Sequence, residues 1–254
     1  MRIVPLATGD SKFPTLVCLP GAMCSPLVYE QCAVTSGLKA QALAWLEDDG
    51  PFDLNSIANR IVDAISDDED VILVGHSLGT PLAVLAALKA FARGTRIVKG
   101  LVLSNSGANT KGHGDAEAIV RRIREDWGTA MWDAFVGRCF HTLPEAQLLD
   151  EIRAYPARLQ SRAVAGAIQS QMETDLLPLL GELPRMPVAV VHGQYDVARS
   201  LSHASELTAA ISGAVLHVLP TGHTSCAEDT TAFAEIMRGV GEATVWPRHC
   251  PLRS

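Results

Sequence analysis

The chain has 254 residues, 48% of them hydrophobic, with 21 Lys and Arg against 28 Asp and Glu and a formal net charge of −7. That balance excludes nucleic acid and anionic membrane surfaces as the main partner, because both select for an excess of cations. The length is enough for one α/β domain with an insertion, and the apolar runs stay short of the about 18 residues that a membrane span needs.

Residues 3–7 have room for one edge strand. The run Pro14-Thr15-Leu16-Val17-Cys18-Leu19-Pro20 is compact and apolar and is closed by Pro20-Gly21, which predicts a buried strand. A short helix is expected over 26–34 and a second apolar strand over 40–45, followed by the acidic loop Glu47-Asp48-Asp49-Gly50-Pro51. Asp53 is placed to cap a helix carrying Leu54, Ile57, Ala58, Ile61, Val62 and Ile65 at helical spacing. After the acidic turn at 67–70, residues 71–76 read as a strand and 78–93 as a helix, and the next strand lies within 96–104. Strands alternating with helices predict a parallel sheet covered on both faces.

From about 107 to 184 the pattern changes. The segments 116–140, 145–155, 159–172 and 175–180 all read as helical, with no strand between them. The expectation is a helical cap inserted after the strand ending near Ser104, with 1–106 and 185–254 as the core and 107–184 as the cap. The rhythm resumes with a strand at 187–192, a helix at 202–211, a strand at 214–219 and a helix at 227–240. The tail 243–254, with Pro247 and Pro251, has no regular pattern. Cys18, Cys24, Cys32, Cys139, Cys226 and Cys250 show neither C-x-x-C nor paired zinc spacing. Met1-Arg2-Ile3-Val4-Pro5 is not a charged leader before a signal-length apolar run. Free thiols, no metal site and a cytoplasmic location are expected.

The stretch Val71-Ile72-Leu73-Val74-Gly75-His76-Ser77-Leu78-Gly79-Thr80 carries the chemistry. It is a G-x-S-x-G motif between a buried strand and a helix, the setting in which a sharp turn lifts a serine Oγ clear of the sheet. A serine nucleophile needs a base, an acid and an oxyanion hole. Functional groups gather at the carboxyl ends of parallel strands. The strand over 187–192 runs into Gly193-Gln194-Tyr195-Asp196, which makes Asp196 the acid. The competing position, Ser104-Asn105-Ser106, holds no carboxylate. The strand over 214–219 leads into Pro220-Thr221-Gly222-His223, which makes His223 the base. His192 is the alternative base, and the turn is expected to direct the His76 side chain away. Leu78 begins a helix, so its backbone N–H is free to face a developing anion. The loop Gly21-Ala22-Met23 is expected to supply the second oxyanion donor at Ala22, with Met23 over the acyl pocket. His113-Gly114-Asp115 receives no role.

The order Ser77, Asp196, His223 resembles that of the α/β-hydrolase family, over nearly the whole chain from Leu16 to about Val240. Within the family, three pieces resemble enol-lactone hydrolases of the 3-oxoadipate type. These are Leu101-Val102-Leu103-Ser104-Asn105-Ser106-Gly107-Ala108, Arg122-Ile123-Arg124 leading to Trp127, and the segment from Ala163 to Asp175 before Leu176. Two departures stand out. Pro20-Gly21 occupies the place where many relatives have His-Gly, and the N-terminus is short for the family's first hairpin. The resemblance implies a mostly parallel sheet of about six to eight strands and a cofactor-free serine hydrolase acting on a small or medium ester or lactone. Met23, Trp127, Met131 and Trp132 are expected in the substrate pocket. Arg121 and Arg122 read as a solvated helix face, with pairing to a substrate carboxylate as the alternative. C–C bond hydrolysis of β-diketone-like compounds, non-hydrolytic chemistry on the same fold and a ligand-receptor role stay open. The partner expected is a small molecule, and no oligomeric state is assigned.

Overall fold

Consecutive apolar residues along the central strands require that both strand faces be covered. In the computed structural model, which describes residues 1–65, 69–112, 114 and 116–245, these runs form one seven-stranded sheet. Its strands are β1 (Arg2–Ala7), β2 (Thr15–Leu19), β3 (Ala40–Ala44), β4 (Val71–His76), β5 (Val98–Ser104), β6 (Val188–Gly193) and β7 (Val215–Leu219). They lie in the order β1-β3-β2-β4-β5-β6-β7. Strand β1 pairs antiparallel with β3, from Arg2 opposite Ala44 to Ala7 opposite Ala40, and every other pairing is parallel.

Helices α1 (Glu30–Ser36), α2 (Leu54–Ala64) and α3 (Gly79–Ala92) alternate with the first five strands. Four more, α4 (Ala116–Glu125), α5 (Thr129–Gly137), α6 (Ala146–Ala154) and α7 (Ser161–Glu173), lie between β5 and β6 with no strand among the described residues there. The chain continues through α8 (Leu201–Ala210), α9 (Ser225–Glu228) and α10 (Thr230–Val245). The two strand faces bury different layers. Val17 and Leu19 of β2 join an apolar cluster with Leu54 and Ile57 of α2 and with Leu82 of α3. Leu16 and Cys18 join a second cluster with Ala33 of α1 and Phe233 of α10.

Local signals account for most boundaries. The Asp53 carboxylate accepts the Ser56 N–H at 2.9 Å and caps α2, a contact worth about 1 kcal/mol. The expected helix over 116–140 is divided into α4 and α5, with Gly128 in extended backbone before α5. The expected helix over 175–180 is instead a turn followed by a short 3₁₀ segment, Leu180–Glu182. There the Asp175 carboxylate takes the Leu177 N–H at 3.1 Å, a local bond that competes with helix formation. The last helix starts later and ends later than expected, because α9 forms a separate turn before α10. His113 and Asp115 of the unassigned phrase, and the tail from 246 on with His249 and Cys250, lie outside the described residues.

All six parallel-paired strands present their carboxyl ends along one edge of the sheet, and β5 lies between β4 and β6. The loops after β2, β4, β5, β6 and β7 therefore meet. The insertion is tied back to the rest by Ser25 Oγ, which donates to Glu151 at 3.0 Å, and by the Leu54 N–H, which donates to Ser170 Oγ at 3.0 Å. Among the described residues, no helix is long and apolar enough to cross a membrane.

Candidate active site

Strand β4 ends at His76, and Ser77 follows with a φ of 52°. A non-glycine residue in the left-handed region costs of order 1–3 kcal/mol and persists only where its surroundings hold it. Here they do. The Ser77 N–H donates to the Ser104 carbonyl at 2.8 Å, and the Ser77 carbonyl accepts the Thr80 N–H at 3.0 Å. Thr80 Oγ1 adds bonds to the carbonyls of Gly75 at 3.1 Å and Ser104 at 3.2 Å. The turn is too tight for side chains at its flanks. A Cβ on Gly75 would collide with the Gly79 carbonyl, and one on Gly79 with the Leu19 carbonyl.

The topology brings the other two residues of the sequence reading to this serine. His223 Nε2 lies 2.9 Å from Ser77 Oγ, and His223 Nδ1 lies 2.8 Å from Asp196 Oδ2. The Asp196 side chain is fully buried. Oδ1 accepts the backbone N–H groups of Ala198 at 2.8 Å and Arg199 at 2.9 Å. Burial pushes the Asp196 pKa up, but the hydrogen bond and charge of His223, with the Arg199 N–H and Asn105, outweigh it. The carboxyl is held well below the usual carboxylate range.

Two supporting residues received no role in the sequence reading. Asn105 follows β5 with a φ of 52° and donates from Nδ2 to Asp196 Oδ2 at 3.2 Å and to the Gly222 carbonyl at 3.1 Å. It thus bridges the acid loop and the histidine loop from the strand end that lacks a carboxylate. Glu228 is the second. Its carboxylate accepts the N–H groups of Gly222 at 3.0 Å, Thr224 at 3.3 Å, His141 at 2.9 Å and Thr142 at 2.8 Å. It joins the His223 loop to the segment after α5. The sequence signals were an asparagine, which tolerates the left-handed region, at a strand end, and an acid in the helix after the histidine loop.

The His76 ring does not turn away as expected. Its centroid is 5.1 Å from that of His223, and the side chain is buried. Burial, then the charge of His223, lowers its pKa to about 3, so it stays neutral. His192 is also buried, and burial lowers its pKa. Neither Nδ1 has a hydrogen-bond partner among the described residues.

Two spaces open on Ser77 and His223. A narrow one of about 20 Å³ runs past Ala22 and Met23 between Val136, Phe140 and Ile152. The larger chamber, about 490 Å³, is lined by apolar residues that include Ala22, Leu78, Met131, Phe135 and Ile168 and by polar ones that include Gln171 and three arginines. Met23 has a φ of 56° and is buried. Its loop is anchored by Trp45 Nε1, which donates to the Pro20 carbonyl at 3.0 Å. Met131 lines the larger chamber, whereas Trp127 and Trp132 line neither space. Those two rings pack edge to face on each other, 5.4 Å apart at 72°. Arg122, expected on a solvated face, is exposed and also lines the chamber. Cys18, Cys24, Cys32, Cys139 and Cys226 are free thiols. No group of three or more metal-ligating side chains is found among the described residues.

A mostly parallel sheet with a serine at a strained turn after β4, facing an acid and a histidine from later strand ends, defines an α/β hydrolase. A sequence model of the alpha/beta hydrolase family matches residues 16–236. The chain belongs to that family. Its fold is similar to that of an esterase from Exiguobacterium antarcticum, with a TM-score of 0.81 at 18% identity over 94% of each chain. It is similar to a hydrolase from Pseudomonas aeruginosa PA01, with a TM-score of 0.77 at 21% identity over 94% of this chain and 92% of that one. It is also similar to the enol-lactonase from Burkholderia xenovorans LB400, with a TM-score of 0.73 at 19% identity over 94% of each chain. At such identities the likeness carries the fold. No curated protein matches the sequence.

Proposed function

We propose that this α/β hydrolase cleaves a small carboxylic ester or lactone through an acyl-enzyme on Ser77. The observation that carries the reading is the hydrogen-bonded chain from Ser77 Oγ through His223 to buried Asp196, at 2.9 Å and 2.8 Å, open to a chamber large enough for a small molecule. Ser77 Oγ attacks the carbonyl carbon while His223 Nε2 takes its proton. Asp196 holds the imidazole in the tautomer that presents Nε2 as acceptor and stabilises its charged form. The Ala22 and Leu78 N–H groups receive the oxyanion. His223 returns the proton to the leaving alkoxide, then deprotonates a water that attacks the acyl-enzyme, and the proton passes back to Ser77. Residues 107–184 act as a cap over this site. The narrow space beside Met23 takes the acyl group. Free thiols fit a reducing compartment, and the cytoplasm is the location this reading gives.

Labelling with a fluorophosphonate probe tests the reading. The wild type is expected to label and Ser77→Ala to remain unlabelled, with kcat toward 4-nitrophenyl acetate lower by roughly 10⁶-fold. An unlabelled wild type overturns the activated serine, and turnover that survives Asp196→Ala unchanged overturns the acid. A parallel series of small lactones then decides between ester and lactone.

A further inference from the structure

Three arginines, Arg122, Arg138 and Arg199, line the larger chamber, and no carboxylate does so among the described residues. This is a local reversal of charge in a chain of net charge −7. Arg122 comes from α4 and Arg138 follows α5, and both side chains are exposed at the chamber wall. Neither forms an ion pair among the described residues. Arg199 is different, because it sits deeper. Its Nε is buried and has no hydrogen-bond partner among the described residues, and the guanidinium's one side-chain bond is a long contact to the Ala198 carbonyl at 3.4 Å.

The nearest acid does not satisfy it. Asp196 Oδ1 already accepts two backbone N–H groups, and Oδ2 accepts His223 and Asn105. Burial lowers the Arg199 pKa to about 10, with Asp196 opposing the shift, so the guanidinium stays charged at neutral pH. A buried cation with open donors is costly unless an anion completes it, and a planar guanidinium matches a carboxylate through two parallel bonds.

We infer that the larger chamber receives the anionic arm of the substrate, a carboxylate bound by Arg199 at depth with Arg122 and Arg138 at the wall. This rests on the serine-hydrolase reading and narrows its substrates to ester or lactone acids. Met131, Phe135 and Ile168 enclose the carbon skeleton, and Gln171 adds an amide to the chamber lining.

Two isosteric pairs test it: 3-acetoxybenzoate against 3-acetoxybenzamide, and phenyl hydrogen glutarate against phenyl 4-carbamoylbutyrate. In at least one pair, kcat/KM of the wild type is expected to favour the carboxylate about tenfold or more, the range of charge-assisted hydrogen bonds. Arg199→Gln brings that ratio to about one, and Arg199→Lys retains part of it. Arg138→Gln, a change at an exposed side chain, lowers the ratio by about threefold, which keeps the test open if Arg199 variants fold poorly. Equal turnover of acid and amide in both pairs overturns the inference, as does a preference that survives in Arg199→Gln. Hydrolysis of the amides without acid preference leaves the serine-hydrolase reading standing. Loss of all four activities together with absent fluorophosphonate labelling removes that reading and this inference with it.

Discussion

At the scale of single residues, the candidate site is ordered by side chains around Ser77, Asp196 and His223. Asn105 fills a strand end with an amide whose two donors reach Asp196 and the Gly222 carbonyl, so one side chain ties the Asp196 loop to the His223 loop. His76 has a different consequence. Its folded pKa is about 3, lowered first by burial and then by the charge of His223, against about 6.5 in an unfolded chain. Between those values the unfolded chain takes up a proton that the folded protein refuses. The stabilisation is therefore complete above about pH 6.5 and is lost as the pH falls through that window. From pH 7 to pH 5 the wild type is expected to lose about 2 kcal/mol more unfolding free energy than His76→Asn, read from urea titrations at the two pH values. Equal losses in both proteins would show that His76 takes up its proton in the folded state.

At the scale of elements, the fold works by bringing loops from successive strand ends together and then fastening them. Glu228, in α9, is the fastening for the His223 loop, because one carboxylate accepts four backbone N–H groups from two segments. Glu228→Ala leaves those donors to water and is expected to cost roughly 2–3 kcal/mol in urea unfolding. The same change loosens His223 and is expected to lower kcat about tenfold with KM little altered. Glu228→Gln, which keeps one acceptor oxygen, falls between. A full loss of stability with unchanged kcat would make Glu228 a scaffold residue only.

At the scale of the whole molecule, the helices between β5 and β6 supply part of the walls of both spaces at Ser77. Val136 and Ile152, from α5 and α6, close the narrow space to about 20 Å³, room for about one small group. Ile152→Ala enlarges it. The ratio of kcat/KM for 4-nitrophenyl butyrate over the acetate is expected to rise about tenfold, at a cost of about 2–5 kcal/mol in stability. An unchanged ratio would place the acyl group in the other chamber.

What was legible in the sequence was whatever local chemistry records. Apolar runs of strand length, Asp53 before a helical stripe, and glycines around Ser77 each constrain their own neighbourhood, and parallel alternation forces the strand ends to one edge. Those constraints place Ser77, Asp196 and His223 at one edge of the sheet. Side-chain direction across long separations has no such local record. The pairing of Trp127 with Trp132, the approach of His76 to His223, the bond from Asn105 to Asp196, and the convergence of Arg122, Arg138 and Arg199 are set by how strand ends, loops and helices pack together in three dimensions. A helical stripe specifies which face is buried but not what it faces, and only the tertiary packing of those helices over the sheet edge decided it.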